Sequence, residues 1–177
     1  MDEYTLTRLK VIIARFRGCI DRVYLHWTAG RYGQVYSDYH ICIDDDGKIY
    51  MPSDNLLICR SHTWRRNSEA VGIALCCCYG AIANEGRDAD FGDYPPTEKQ
   101  IEVMSQIVAL LNKYGEVSLD DVYTHCEIAR IDGYGPYSGD SETRWDLWFL
   151  PDYDGVMRNG GDVIRGKAAW YLANTDL

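Results

Sequence analysis

The sequence contains no apolar run close to the roughly 20 residues that a membrane-spanning helix requires, so a membrane protein is not expected. Residues 1–19 carry acids before their apolar positions and lack a basic segment followed by a long apolar one. A signal peptide would contain a basic segment and, after it, a long apolar segment. We therefore expect synthesis in the cytoplasm without a signal peptide.

Positive charge is scarce as well. The chain has 18 Lys and Arg against 27 Asp and Glu, a net charge of −9 at pH 7, and the acids concentrate in 85–93 and 138–146. Nucleic acids and anionic membranes attract basic surfaces. We therefore expect neither a nucleic-acid partner nor a membrane partner.

The seven cysteines include no C-x-x-C pair, which argues against a structural zinc motif. Their number is odd, and three of them are consecutive in the apolar segment 70–80. We interpret most of them as reduced, buried, small apolar side chains. This usage fits a reducing environment better than a disulfide scaffold.

What the sequence does contain is a periodic alternation of apolar segments. Helical spacing predicts helices over 5–17, 97–115 and 162–175, with Thr5 and Thr97 as N-caps and Gly115 closing the second. β-rich segments predict strands over 23–29, 70–80 and 121–129 and a hairpin over 40–52, whereas 81–96 and 130–146 are predicted loops.

Strands that alternate with helices are typical of an α/β protein. With 177 residues, 46% of them hydrophobic, the chain is long enough for one well-packed domain. We expect a single domain over 1–177 with a central mixed β-sheet flanked by helices. It would comprise an N-terminal helix within 1–19, a core over about 20–150 and a C-terminal helix within 160–177.

Only four histidines occur, and His26 and His125 share a setting. Each follows an apolar strand, in VYLH and VYTH, and strand ends can converge at one edge of an α/β sheet. Two such imidazoles would provide two ligands of a metal, and a catalytic zinc needs a third ligand and an open position for water. From these residues alone, a hydrogen-bonded structural role is an equal alternative. His40 is expected to be packed inside or hydrogen-bonded rather than a ligand.

Five segments in one order resemble the zinc-dependent N-acetylmuramoyl-L-alanine amidases of the type 2 family, which includes phage endolysins and the peptidoglycan recognition proteins. The segments are HWTAG, YHICIDDDGKIY, SHTWRRNSEAVGIAL, YPPTEKQIEVMSQIVALLNKYG and THCEIA. The resemblance extends over roughly residues 20–150. It implies the fold of that family, a Zn²⁺ cofactor, and hydrolysis of the amide bond between N-acetylmuramic acid and L-alanine in peptidoglycan.

The resemblance also implies a ligand set. His26 and His125 match the family's two histidine ligands, and Asp146 matches the third, because Arg144 precedes it by two positions as a basic residue does in the family. The segment between His125 and Asp146 is longer than in the family, and Leu147 and Trp148 replace a Pro-Gly pair. Other candidates for the third ligand therefore stay open: Asp132, Asp140 and Cys126. Cys126 is the least favoured, because adjacent strand residues point to opposite faces.

Two catalytic residues are implied in the same way. Arg144 lies where the family has a residue that stabilises the oxyanion, although an ion pair with Asp146 or Glu142 is an alternative. Tyr39 lies where some members have a catalytic tyrosine, and an ordinary strand tyrosine is the alternative. Ala74 occupies the place where other members carry a glutamate, which favours the tyrosine arrangement.

The segment SHTWRRN borders the substrate groove in the family. We therefore predict substrate contacts for His62, Trp64, Arg65 and Asn67, against the alternatives of a groove-rim histidine and a solvated turn. The expected partner is peptidoglycan or a muropeptide, and we expect a monomer.

The resulting expectation is a bacteriolytic amidase such as a phage endolysin. It would act on the cell wall after release, or on cytosolic muropeptides. A non-catalytic peptidoglycan-binding module of the same fold is the alternative. A thiol enzyme that uses Cys126 or Cys59 is a third, weaker one.

Overall fold

The computed structural model describes residues 1–84, 88–140 and 144–177 and contains both helices and strands. The α-helices are α1 (Leu6–Arg15), α2 (Glu98–Gly115), α3 (His125–Asp132) and α4 (Gly160–Asn174). The strands are β1 (Asp2–Tyr4), β2 (Arg22–Trp27), β3 (Ile41–Ile43), β4 (Ile49–Met51), β5 (Ala70–Leu75), β6 (Ile82–Asn84), β7 (Asp88–Asp90), β8 (Val122–Thr124), β9 (Phe149–Pro151) and β10 (Met157–Asn159). A short 3-10 helix, Leu119–Asp121, leads into β8.

Six of the strands form one mixed sheet in the order β1-β4-β3-β5-β2-β8. The pairs β3–β5, β5–β2 and β2–β8 are parallel, and the pairs β1–β4 and β4–β3 are antiparallel. The predicted α/β architecture with a central mixed sheet is confirmed. Because β3, β5, β2 and β8 run in the same direction, their carboxyl ends meet at one edge of the sheet.

The two faces of the sheet are covered differently. Along β2, Val23 and Leu25 belong to a large apolar cluster with side chains of α1, α2 and α4. Tyr24 belongs to a small cluster with Ile128 of α3. Because successive strand residues point to opposite faces, His26 points to the side of the sheet on which Tyr24 and α3 lie.

Local sequence signals account for the helix starts. Thr5 accepts a hydrogen bond from the Arg8 backbone, and Thr97 forms a capping box with Gln100. Gly115, however, is the last residue of α2, and Glu116 adopts the left-handed conformation at φ 65°. Gly115 lies where α1 approaches closely, since a Cβ there would lie 3.2 Å from Ile13 Cγ2.

The predicted strand over 121–129 is wrong beyond Thr124. β8 ends at Thr124, whose side chain accepts from the Glu127 backbone while the Glu127 side chain accepts from the Thr124 backbone, so α3 begins at His125. Three further elements were not predicted: strand β1 ahead of the N-terminal helix, the antiparallel β6–β7 pair in the loop 81–96, and the β9–β10 hairpin.

The cysteines follow the prediction of buried, reduced side chains. All seven are free, five are buried, and only Cys19 and Cys59 are exposed. Within the part of the chain that the structure describes, no helix combines the length and apolar character needed to cross a bilayer.

Candidate metal centre

Sheet register brings two of the predicted ligands together. Leu25 of β2 pairs with Thr124 of β8, so the residues that follow them, His26 and His125, leave neighbouring parallel strands at the same edge. The centroids of their imidazole rings are 4.7 Å apart. His125 is the first residue of α3 rather than a strand residue.

Asp146 reaches the same point from a position 120 residues after His26. Its Oδ2 atom lies 3.0 Å from Nδ1 of His26 and 3.2 Å from Nδ1 of His125. The backbone carbonyl of Asp146 accepts a 3.3 Å hydrogen bond from the backbone amide of Cys126, which ties the loop to the start of α3. The structure therefore brings all three predicted ligands into contact.

The group is shielded from solvent. His26 is 1% exposed, and His125 and Asp146 are each 7% exposed. Their potential ligand atoms all lie within 4.8 Å of one another. Two imidazole nitrogens and a carboxylate oxygen form a donor set that zinc accepts in catalytic sites, where a fourth position is left for water. These residues fit the metal that the resemblance implies.

The charges of the group also suit a cation. Burial alone would raise the pKa of Asp146, but His125 and His26 together hold the pKa of this carboxyl below its ordinary value. Burial is the main cause of a lowered pKa at His26, which outweighs the opposing effect of Asp146. At neutral pH the carboxylate is charged and His26 is neutral, the protonation states in which both bind metals.

The other candidates for the third ligand differ from Asp146 in their contacts or their surroundings. Asp132 forms a two-point ion pair with Arg66 at 2.6 and 2.7 Å. Burial raises the pKa of the Cys126 thiol to about 12, which makes the thiolate that binds a metal harder to form. Asp140 lies in the wall of the neighbouring cleft.

The two predicted catalytic residues lie near different members of the group. The Tyr39 ring is centred 5.2 Å from the ring of His26, and burial and the charge of Asp146 raise the pKa of its phenol. Arg144 lies in the wall of the cleft with His125. Glu142, the alternative partner of Arg144, lies outside the described residues.

An open cleft of about 580 Å³ runs beside the group. All four predicted substrate contacts line it, together with residues of the candidate metal centre and its surroundings: Ser61, His62, Thr63, Trp64, Arg65, Asn67, His125, Tyr134, Asp140 and Arg144. Trp64 is 58% exposed, and the guanidinium of Arg65 lies 4.3 Å above its ring. A larger cleft of about 750 Å³ beside α4 contains none of the candidate ligands.

Two residues near the histidines were missed at the sequence level. Thr63 Oγ1 lies 3.3 Å from Nε2 of His26, and the Tyr134 hydroxyl lies 3.5 Å from Nε2 of His125. Thr63 directly follows His62 in the groove segment, and this position is the signal that could have identified it. Tyr134 lies between two glycines, and no sequence signal marks it.

His62 is less accessible than a substrate-contacting residue at a groove rim would be. It is 8% exposed, and its Nδ1 atom lies 3.0 Å from Thr63 Oγ1. Its Nε2 atom is buried without a hydrogen-bond partner among the described residues. Burial, followed by the neighbouring histidines, lowers the pKa of His62 to about 2.

Fold and site thus define an α/β protein with a buried His-His-Asp group at the carboxyl ends of parallel strands. The sequence profile of the N-acetylmuramoyl-L-alanine amidase family matches residues 16–138, more than half of the chain. The chain therefore belongs to this family. His26, Tyr39, His62 and His125 lie inside the matched range, and Asp146 lies beyond it.

Several solved structures are similar to the chain at low identity. The endolysin N-acetylmuramoyl-L-alanine amidase LysCS from Clostridium intestinale URNW is 20% identical, with a TM-score of 0.43 over 62% of this chain and 71% of that one. The Drosophila peptidoglycan recognition protein SA is 19% identical, with a TM-score of 0.43 over 60% and 68%.

The Ph2119 endolysin from the Thermus scotoductus MAT2119 bacteriophage Ph2119 is 19% identical, with a TM-score of 0.44 over 65% of this chain and 77% of that one. Likenesses of this size do not establish a shared activity. No curated protein matches the chain.

Proposed function

We propose that the chain is a zinc-dependent amidase that hydrolyses the bond between N-acetylmuramic acid and L-alanine in peptidoglycan. The observation that carries the proposal is the convergence of His26, His125 and Asp146 beside an open cleft. It occurs in a chain that belongs to the N-acetylmuramoyl-L-alanine amidase family. A module that only binds peptidoglycan would not need three buried side chains whose potential metal-binding atoms lie within 4.8 Å of one another.

In this proposal Nδ1 of His26, Nδ1 of His125 and Oδ2 of Asp146 hold Zn²⁺. When bound, Zn²⁺ supplies Lewis acidity, which lowers the pKa of a coordinated water and polarises a carbonyl oxygen. The carboxylate of Asp146 offsets part of the metal's charge. Burial of the three side chains strengthens their electrostatic interactions, since the effective dielectric constant is lower than in water.

Arg144 and Tyr39 supply donors for the negative charge that develops on the amide oxygen during hydrolysis. The guanidinium of Arg144 lies in the wall of the cleft and offers several N–H donors in a fixed planar arrangement. The raised pKa of Tyr39 keeps its phenol protonated and able to donate. Donors aimed at a developing oxyanion are among the largest contributions to acyl-transfer catalysis.

The cleft holds the glycan and peptide around the scissile bond. Trp64 offers an exposed aromatic face, Arg65 offers a cation for a peptide carboxylate, and His62 and Asn67 lie deeper in the wall. Oδ1 of Asn67 accepts from the backbone amides of His62 and Thr63, so Asn67 also holds the shape of this segment.

The proposed biological setting is that of a bacteriolytic amidase such as a phage endolysin. It would act as a monomer on the cell wall after release, or on cytosolic muropeptides. Clearing of a suspension of purified walls, compared with cleavage of soluble muropeptides, separates these two pools of substrate.

The test is mass spectrometry of muropeptides treated with the purified protein, with and without a chelator, together with measurement of bound zinc. We expect release of intact stem peptides, one zinc per chain, and loss of cleavage with the chelator. Asp146→Ala should lose both zinc and cleavage. Asp140→Ala is the matched control, since Asp140 is an acid in the same cleft, and it should keep zinc.

The other outcomes each identify an alternative. Muropeptide binding without zinc or cleavage would indicate a binding module. Cleavage that iodoacetamide blocks and a chelator does not would indicate a thiol enzyme. Loss of zinc in Asp140→Ala but not in Asp146→Ala would move the third ligand to Asp140.

A further inference from the structure

Each candidate metal-binding histidine has a second ring nitrogen that faces away from Asp146. In His26 this atom, Nε2, lies 3.3 Å from the hydroxyl oxygen of Thr63, a residue that is 2% exposed. In His125 the corresponding atom lies 3.5 Å from the Tyr134 hydroxyl, at the limit of a hydrogen bond. The contact of Thr63 is thus the closer and the more deeply buried of the two.

The protonation of an imidazole explains why this second contact matters. A neutral imidazole carries one hydrogen, so an Nδ1 atom that binds a cation must leave that hydrogen on Nε2. An oxygen facing Nε2 stabilises this tautomer and fixes the plane of the ring. A hydroxyl is suited to the position, because it accepts from Nε2 while its own hydrogen goes to another acceptor.

The structure provides that other acceptor. Nδ1 of His62 lies 3.0 Å from the same Thr63 oxygen, so the Thr63 hydroxyl can accept from His26 and donate to His62. The His62 ring lies over Gly72 of β5, where a Cβ atom would come within 2.6 Å of ring carbons Cγ and Cδ2. The absence of a side chain at Gly72 therefore makes room for the acceptor.

Thr63 itself is held from the backbone side. Oδ1 of Asn67 accepts from the Thr63 amide at 2.8 Å and from the His62 amide at 3.3 Å. These two bonds close the turn that contains both residues and hold the backbone from which the Thr63 side chain extends towards His26.

We propose that Thr63 is a positioning residue of the metal centre, whose hydroxyl holds His26 as the tautomer with hydrogen on Nε2 and so presents Nδ1 to the metal. The inference rests on the proposed metal site but assigns a role to a residue outside the ligand set. Partners of this kind change metal affinity by roughly 10- to 100-fold.

The test compares Thr63→Val, which keeps the shape of the side chain and removes the hydroxyl, with Thr63→Ser, which keeps the hydroxyl. Zinc affinity is measured by competition with a chromophoric chelator, after circular dichroism has confirmed folding. We expect Thr63→Val to bind zinc roughly 10- to 100-fold more weakly than the wild type, and Thr63→Ser to stay close to it. Equal affinity of the wild type and Thr63→Val overturns the inference and leaves the metal site intact.

A second measurement needs no variant. Proton–nitrogen NMR correlation of the zinc-loaded wild type should show the His26 hydrogen on Nε2 with a proton shift typical of a hydrogen bond. A hydrogen on Nδ1, or metal bound through Nε2, would overturn the inference even if Thr63→Val failed to fold. If the wild type binds no zinc, the proposed metal site itself is wrong and the inference falls with it.

Discussion

The pH dependence of stability should report the buried imidazole of His40, which lies beside the centre without contacting its three ligands. His40 is 1% exposed, its Nδ1 atom accepts from the Gly72 amide at 3.0 Å, and its Nε2 atom lies 2.8 Å from the Ile58 carbonyl. Both contacts are satisfied only by the neutral ring with its hydrogen on Nε2. Burial is the main cause that lowers the pKa of His40 to about 4.

The size of the effect follows from the two pKa values. In the unfolded chain His40 has an ordinary pKa near 6.5, so between about pH 4 and pH 6.5 the unfolded state binds more protons than the folded state. The stabilisation is therefore complete above pH 6.5 and is lost as the pH falls towards 4. A difference of about 2.5 pKa units corresponds to about 3 kcal/mol of unfolding free energy.

The assay is urea unfolding at several pH values in the presence of a chelator, so that metal binding does not contribute. His40→Gln removes the titrating group and should be less stable than the wild type at neutral pH, because buried hydrogen bonds are weakened. The gap between the two proteins should shrink by about 3 kcal/mol from neutral pH to about pH 4. Parallel stability curves over this range would refute the reasoning, since His62 and the ligands are common to both proteins.

Three further substitutions test the surroundings of the site. Gly72→Ala should displace the His62 ring and cost about 1–3 kcal/mol in urea unfolding, and an unchanged stability would show that the ring moves aside freely. Arg144→Ala should keep its zinc and lose roughly 10²-fold or more in kcat on muropeptides; a wild-type rate would make Arg144 structural. Tyr39→Phe should likewise keep zinc and lose rate, and a wild-type rate would assign the phenol a packing role alone.

The elements that the sequence predicted well are those with a long local pattern. Helix α2 combines a Thr97 capping box with 18 residues of apolar periodicity, and β5 is a six-residue apolar strand buried at every position. Strands β1, β9 and β10 have three residues each, too few to show a period of two. The partner of β1 is also distant in the chain, since Asp2 pairs with Met51 of β4, and local pattern does not reveal such a partner.

The start of α3 was missed although its signal is present. Thr124 and Glu127 have the T-x-x-E spacing of a capping box, but the preceding apolar residues led to a strand prediction through the whole segment. The argument that strand alternation turns Cys126 away from the metal is therefore wrong, because His125 and Cys126 are helical. The argument against Cys126 as a ligand is instead that burial raises the pKa of its thiol.

The third candidate ligand could not be chosen from the residue types alone. Asp132, Asp140 and Asp146 are indistinguishable as acids in a glycine-rich segment, and only the resemblance favoured Asp146. The side chains that they contact in the structure distinguish two of them: Asp132 pairs with Arg66, whereas Asp146 faces both histidines. Such choices depend on long-range contacts that leave no local periodicity.

The site illustrates how a parallel sheet shortens distances that are long in sequence. Because Leu25 pairs with Thr124, His26 and His125 lie side by side, and Asp146 needs a separate contact to lie beside them. That contact is the hydrogen bond from the Cys126 backbone amide to the Asp146 backbone carbonyl, which holds the loop against the first turn of α3, the helix that begins at His125. A hydrogen bond between backbone groups does not depend on side-chain identity. The segment between His125 and Asp146 can therefore differ in length or composition while this hydrogen bond holds Asp146 in place. A chain with a longer segment between His125 and Asp146 can therefore still bring a carboxylate against both histidines.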